Sequence, residues 1–414
     1  MHFNTIVIGG GAAGLIAAGK TAENGHKVLV LERNNILGKK LFITGKGRCN
    51  LTNNDEINNF IARYGKNGRF LYRAFKRFSN TDLITFFTSN GIKIKNERGG
   101  RVFPASDKSN DIIKALTRYT HLNNVEIQLN SYVTEIKHIQ ENSETLFEIF
   151  IKGKSSLKCN NVIIATGGLS YPLTGSTGDG YKFAKSFGHD IVKPMPGLVP
   201  LVVKESFIKD LQGLALKNVT ASIYANNKII ASEFGELLFT HFGLSGPIIL
   251  TLSGIVSEYL LKGESIEVSI NLKPALDKET LKKRLLREFD TSGLKSFSSI
   301  VKTLLPSSLV PVFIKLTGIA GDKKANQITK ADRDTIQSLL TDFRFKIKGV
   351  RSIDEAIVTK GGVSLNEIDP YTMESKKVKG LYFCGEVLDI DGPTGGYNLQ
   401  AAFSTGYLAG SEVK

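Results

Sequence analysis

Short unbroken apolar runs alternate along the chain with segments whose apolar residues recur every three to four positions, the pattern of a parallel sheet covered by helices. Thr5-Ile6-Val7-Ile8 is β-branched without alternation and predicts a strand buried on both faces. Residues 15–23 predict a helix closed by Asn24-Gly25, and 27–31 a second strand, which completes a βαβ unit. Helices are predicted at 79–90, where Leu83, Phe86 and Phe87 share a face, and at 109–120. Strands at 125–129, 132–139 and 147–151 lead to the buried run at 161–164, which ends in Ala165-Thr166-Gly167-Gly168.

Around residues 193–197 the pattern turns to period two, with Asn226-Asn227 as a turn between strands, and 276–343 reads as helical. Residues 380–386 return to a strand with a polar end, and 398–409 to a helix. The expected fold is therefore α/β. Residues 1–192 and 355–414 should form a Rossmann domain, 193–274 and 340–354 a β-rich insertion, and 275–339 a small helical subdomain. Residues 34–54 break the pattern: this Gly- and Lys-rich loop has little periodicity and is too long for a simple connector, which marks it as functional.

The chain has 414 residues, with 54 Lys and Arg against 39 Asp and Glu, a formal charge of +15. The plainer reading is a solvated Lys-rich surface; the sharper one is attraction to phosphate. The densest basic run, Lys282, Lys283, Arg284 and Arg287, shares a predicted helix with Leu281, Leu285 and Leu286 and carries no interleaved aromatics, which suits a polar helix face better than a base-stacking surface. Cys49, Cys159 and Cys384 are odd in number and far apart, which argues against disulfides, zinc and a dithiol relay. No apolar run approaches the ~18 residues of a membrane span. A cytoplasmic protein without membrane contact is expected.

Gly9, Gly11 and Gly14 form GxGxxG between a strand and a helix, with Ala12 and Ala13 opening the helix. The first glycine permits the tight turn, the second lets backbone approach a pyrophosphate, and the third lets helix and sheet pack closely. Glu32 ends the second strand, where a carboxylate accepts hydrogen bonds from ribose hydroxyls, and Arg33 follows it. Further βαβ units, which a nicotinamide domain would show, give way here to the Gly/Lys loop and later strands. That favours FAD.

Several motifs are similar to those of the aminoacetone-oxidase-like family of FAD-dependent oxidoreductases, which includes reductases of bile-acid pathways. They are Gly38-Lys39-Lys40, Gly45-Lys46-Gly47-Arg48-Cys49-Asn50-Leu51-Thr52-Asn53, Ala165-Thr166-Gly167-Gly168, Thr174-Gly175-Ser176-Thr177-Gly178-Asp179-Gly180, Phe239-Thr240-His241-Phe242-Gly243-Leu244-Ser245-Gly246-Pro247, and Gly385-Glu386-Val387-Leu388-Asp389 through Gly395-Gly396-Tyr397-Asn398-Leu399-Gln400. The resemblance implies a glutathione-reductase-type FAD domain with an inserted β-rich domain, and a loop (Lys39, Lys40, Thr44, Gly47, Arg48, Cys49, Asn50) running beside the flavin. It also implies that Thr166 and Gly167 lie on the adenine side, that Val133 contacts adenine through its backbone, and that Gly385 and Glu386 hold the ribityl chain. Gly396, Asn398, Leu399 and Gln400 would then open a helix aimed at the flavin, where its dipole stabilises the reduced ring.

His241 and Tyr397 are the candidates for proton transfer or substrate contact. Each has a plainer alternative: His241 as a loop support, Tyr397 as a stacked ring. Cys49 and Cys384 read more simply as buried fillers. The expected function is hydride transfer between noncovalent FAD and a small organic substrate, by amine oxidation or by NAD(P)H-dependent reduction of an unsaturated carbonyl. NAD(P)H would dock transiently, because no second Rossmann unit is evident. The alternative is a flavoprotein that binds or modifies RNA, a partner the basic run alone does not favour.

Overall fold

The computed structural model describes residues 2–141 and 144–414. The chain divides into two compact units, Met1–Gly197 with Ile353–Lys414, and Leu198–Ser352. The first is built on a seven-stranded sheet in which β1 (His2–Ile8) lies between β2 (Val28–Leu31) and the strand Leu157–Ile164. β2 also pairs with Glu126–Gln128, and Leu157–Ile164 with Leu381–Phe383, all in parallel. The hairpin Val133–Glu141 and Glu144–Ile151 extends the sheet antiparallel to Leu157–Ile164. The sheet therefore runs in opposite directions of travel from β1, and its crevice opens at the C-terminal ends of the parallel strands.

Both faces of the central strands are buried, as the unbroken apolar runs require: Ile6, Val7, Val30, Val162, Ile163 and Phe383 are all at most marginally accessible. Helix α1 (Ala12–Glu23) packs along the last helix, Tyr397–Glu412, at very short range. A Cβ on Gly406 would lie 2.4 Å from Ala13 O, and one on Gly410 2.4 Å from Ala17 O. Small residues on both helices thus let the two backbones touch.

The 34–54 region is more ordered than its composition predicts. Lys39–Ile43 is a short helix, Thr44–Gly47 a 3₁₀ turn, and Thr52–Asn53 a strand pairing with Arg101–Pro104. No periodicity announces five residues of helix, and the turn that follows is held by left-handed backbone at Gly45 (φ 56°), Lys46 (φ 59°), Gly47 (φ 83°) and Cys49 (φ 59°).

The second unit holds a closed six-stranded barrel, with Leu201–Val203, Gly243–Ser245, Lys228–Phe239, Ala215–Ala225, Ile266–Asn271 and Phe343–Val350 in that order. The predicted turn closes its longest hairpin, with Asn226 at φ 50° and Asn227 at φ 62° as a type I′ turn demands. Helices between 278 and 341 share one core with the barrel. Among the described residues no helix is long and apolar enough to cross a membrane, and no cluster of potential metal ligands occurs.

His189 illustrates how loops are fixed in the first unit. Its buried ring contacts Glu367 Oε2 at 3.2 Å and Ser375 Oγ at 2.8 Å. Burial depresses its pKa below the usual imidazole value despite the carboxylate. Because the folded state resists protonation, its contribution to stability is present above about pH 6.5, the unfolded value, and is lost as pH falls below it. The thermal midpoint should therefore drop between pH 7.5 and 5.5, and His189→Gln should flatten that drop in a calorimetric series.

Candidate functional site

The site is assembled where four parallel strands end. Gly9 N–H donates to Leu31 O (2.9 Å), Ala165 N–H to Ile8 O (2.9 Å) and Cys384 N–H to Ile164 O (3.1 Å), so the segments after β1, Leu157–Ile164 and Leu381–Phe383 leave the sheet side by side. Each glycine of the first turn has a physical reason. Gly9 adopts φ +107°, and a Cβ there would lie 2.5 Å from Ala165 O. A Cβ on Gly14 would lie 1.9 Å from Gly9 O. Gly11 is different: a Cβ there meets no described atom within 4 Å, so its backbone faces open space at the start of α1. Such an opening suits an anion, since the N–H groups and dipole of a helix start favour negative charge.

Glu32 is 7% exposed, and its carboxylate is fixed at both oxygens. Gly10 N–H donates to Oε2 (2.8 Å), while Asn34 donates to Oε1 from its backbone (2.8 Å) and its side chain (2.7 Å). Ser131, two residues before Val133, donates its N–H to Glu32 O (2.9 Å). Arg33 does not extend from the site. Its guanidinium binds Asp179 (2.9 Å) and Thr177 and stacks over Tyr132 at 4.6 Å. Thr166 Oγ1 is buried without a hydrogen-bond partner, and Gly167 beside it is left-handed at φ +73°.

Around Gly385 and Glu386 the side chains form a polar knot. Glu386 accepts from Lys40 Nζ (2.6 Å), Ser170 Oγ (2.9 Å) and Thr359 N–H (2.8 Å), and Thr359 Oγ1 accepts from Leu169 N–H (2.7 Å). Gly385 (φ +78°) packs against Ala13, with a Cβ there only 2.8 Å from the alanine Cβ, and its N–H donates to Thr405 Oγ1 (3.0 Å). The start of α1 and the turn after Leu381–Phe383 are thereby locked together. Ser170 and Thr359 belong to this network but escape sequence reading, because they meet their partners only through the fold.

The basic residues of the 39–48 loop do not converge on one anion. Lys40 is paired with Glu386, and Lys39 Nζ lies 3.5 Å from Asn34 Oδ1. Arg48 stacks on Phe103 (4.0 Å) and pairs with Glu97 (2.7 Å) and Asp107 (3.2 Å). Glu97, ending the strand Ile94–Glu97, and Asp107, just past the strand Arg101–Pro104, therefore hold the guanidinium expected to run beside the flavin. Thr44 Oγ1 donates to Leu41 O (2.7 Å), and Gly47 is left-handed with open space where a Cβ would stand. Cys49 and Cys384 are fully buried; burial raises the Cys49 thiol to about 12 and pushes that of Cys384 higher still. Neither is a thiolate.

At the last helix, Asn50 in its hydrogen-bonded orientation accepts from Gly396 N–H (3.0 Å), tying the loop to the helix start. Gly396 itself has φ +102°, and a Cβ there would lie 2.2 Å from Thr52 O. Tyr397 hydroxyl donates to Asp55 (3.0 Å), its ring packs on Phe60 (4.7 Å between centroids), and burial raises its pKa to about 12. Asn398 Oδ1 accepts from Gly392 N–H (2.8 Å), and its amide donates back to Gly392 O and Pro393 O. Leu399 is only partly buried. Gln400 is wholly buried and donates to Phe78 O (3.2 Å) and Ser404 (2.9 Å). The helix start therefore offers backbone, while the side chains of Asn398 and Gln400 hold the surrounding loops. His241 belongs to the second unit, exposed between the strands Lys228–Phe239 and Gly243–Ser245.

The open face at Gly11, the pinned Glu32 and the orphaned Thr166 hydroxyl suit an adenine dinucleotide, and the whole defines an FAD-dependent oxidoreductase. The chain belongs to the HI0933-like family: the model described as "HI0933-like protein Rossmann domain" matches residues 3–412. It is 35% identical to the ribosomal RNA dihydrouridine synthase of Escherichia coli K12 over 413 residues, covering 100% of this chain and 98% of that protein. The 3-dehydro-bile acid delta(4,6)-reductase of Clostridium scindens is 31% identical over 98% of this chain and 97% of that protein. Among solved structures, the 3-ketosteroid-Δ4-(5α)-dehydrogenase of Rhodococcus jostii RHA1 shares the fold with a TM-score of 0.54 at 14% identity, over 100% of this chain and 97% of that one.

Proposed function

We propose that the protein reduces the C5=C6 bond of a uridine in ribosomal RNA. The similarity of 35% and 32% along the whole chain to two proteins named ribosomal RNA dihydrouridine synthase carries this reading, and the +15 charge supports it. The bile-acid reductase relative fits the same chemistry: its name and theirs both describe saturation of a carbon–carbon double bond, here one conjugated with a carbonyl. Reduction of uridine takes a hydride equivalent from NAD(P)H and one proton, and leaves a C5–C6 single bond and NAD(P)⁺. Bound FAD supplies the two-electron relay between donor and double bond.

The chain's own residues then have separate tasks. The Gly9–Gly14 turn and Glu32 bind the adenosine diphosphate end, and the Lys40–Glu386–Ser170 knot orients the polyol portion. We assign delivery of the remaining proton to the uracil ring to His241, which regains it from solvent. Tyr397 is set aside because its hydroxyl is committed to Asp55. His241→Asn should lower turnover by about 10²- to 10⁴-fold while NAD(P)H still bleaches the flavin anaerobically. Tyr397→Phe should cost far less.

The direct test incubates the FAD-loaded protein with NADPH or NADH and ribosomal RNA lacking the modification, then digests the RNA and weighs its nucleosides. A uridine two hydrogens heavier supports the reading. Turnover of a steroid enone without any effect on RNA would favour the small-molecule alternative, and bleaching by aminoacetone would favour amine oxidation.

A further inference from the structure

We propose that the segment 57–77 is the surface on which the RNA strand lies, an inference that rests on the uridine-reductase reading and adds the means of substrate capture. Between Ile57 and Arg77 the chain carries Arg63, Lys66, Arg69, Arg73, Lys76 and Arg77 and no acidic residue. All six are exposed, while Tyr64, Leu71, Phe75 and Phe78 from the same stretch are buried in the first unit. The spacing puts Arg69, Arg73, Lys76 and Arg77 on one outward stripe of the 3₁₀ segment Gly65–Leu71 and the helix Tyr72–Arg77. Arg63 approaches Asp55 at 3.8 Å; among the described residues the other five make no salt bridge.

Two exposed aromatics accompany the stripe, which distinguishes it from the basic run at 282–287. Tyr72 is 49% and Tyr371 64% accessible. Lys76 Nζ stands 5.8 Å from the Tyr72 ring and the Arg73 guanidinium 6.0 Å from that of Tyr371. Cations beside open ring faces are what unpaired nucleotides require: phosphates take the charges and bases stack on the rings. An acidic peptide would use the charges but bring no bases to stack on the two exposed tyrosines.

The stripe is also continuous with the candidate site. Asn67 Nδ2 donates to Asp389 O (2.7 Å), three residues beyond Glu386, and Tyr64 hydroxyl donates to Tyr397 O (2.7 Å) at the start of the last helix. A strand held on the stripe is therefore anchored to the same turns that frame the cofactor. The surface supplies affinity without base readout, so it predicts tight binding of many RNA sequences.

The test measures fluorescence anisotropy of a labelled uridine-rich RNA oligonucleotide on the FAD-loaded protein across a salt series, with flavin content verifying that each variant is folded. The triple variant R69Q/R73Q/K76Q should lower the slope of log K against log salt by about 2 and weaken binding about a hundredfold at 0.1 M salt, since each single-strand phosphate contact contributes ~0.7 to the slope. The charge-matched K282Q/K283Q/R287Q should change neither. Tyr72→Ala and Tyr371→Ala should each weaken binding roughly five- to hundredfold with the slope nearly intact. If wild type binds RNA and the stripe variants match it, the surface is wrong while the uridine reading stands. If wild type binds no RNA even at low salt, both fall; stripe-dependent retention on phosphatidylglycerol vesicles would then identify a membrane surface instead.

Discussion

Gly14→Val is expected to yield a folded protein that has lost more than nine-tenths of its FAD. A Cβ at position 14 already stands 1.9 Å from Gly9 O and 3.3 Å from the Ala165 Cβ, so a branched side chain must push the first turn away from the sheet. Overpacking of this kind costs about 1–3 kcal/mol in stability. The larger effect is on the ligand. In the proposed binding of the adenosine diphosphate end, Gly9 to Gly11 would face the pyrophosphate, and moving this turn also pulls Gly10 N–H from Glu32, whose 2.8 Å hydrogen bond fixes the carboxylate proposed to receive the ribose. The flavin-to-protein ratio of the purified variant checks the first effect, and far-UV circular dichroism shows whether the fold survives.

The second large effect is expected from Gly406→Leu. Position 406 faces Ala13 O at 2.4 Å and Ile16 Cγ2 at 2.7 Å, in a helix crossing that no side chain can enter without separating α1 from the last helix. Both helices begin at the candidate site, so separation disturbs the glycine turn and the Gly395-Gly396 start together. A cost of about 3 kcal/mol corresponds to a fall of roughly 6–12 °C in the thermal midpoint of a unit this size. Excess FAD should restore only part of it, because the ligand binds the disturbed arrangement weakly. A midpoint within a degree of wild type would show that the helices tolerate separation.

Much of the candidate site's framework is legible because local chemistry dictates it. A both-faces-buried strand, a turn that only glycine can make and a carboxylate at the end of the next strand lie within 32 residues and need no tertiary information. The Asn226-Asn227 turn was legible for the same reason: left-handed backbone at two successive positions selects those residues. The Glu386 knot was not, since Lys40, Ser170, Thr359 and Glu386 are brought together from four distant segments.

Arg48 shows what a local reading leaves out. The resemblance sets it in a loop beside the flavin, and only the fold reveals that Glu97 and Asp107 pair with its guanidinium. The stripe at 57–77 is hidden in the sequence for a related reason. Contiguous runs such as 282–287 stand out by density, whereas charges spaced three and four apart across a 3₁₀-to-α junction become a surface only when folded.

The most direct measurement follows the visible spectrum of the purified protein under nitrogen. The account predicts bound FAD at one per chain, bleached by NADPH or NADH and restored when unmodified ribosomal RNA is added, but not when the added RNA contains no uridine. A preparation that takes up no flavin, or a bleached one that ribosomal RNA leaves colourless, would contradict it.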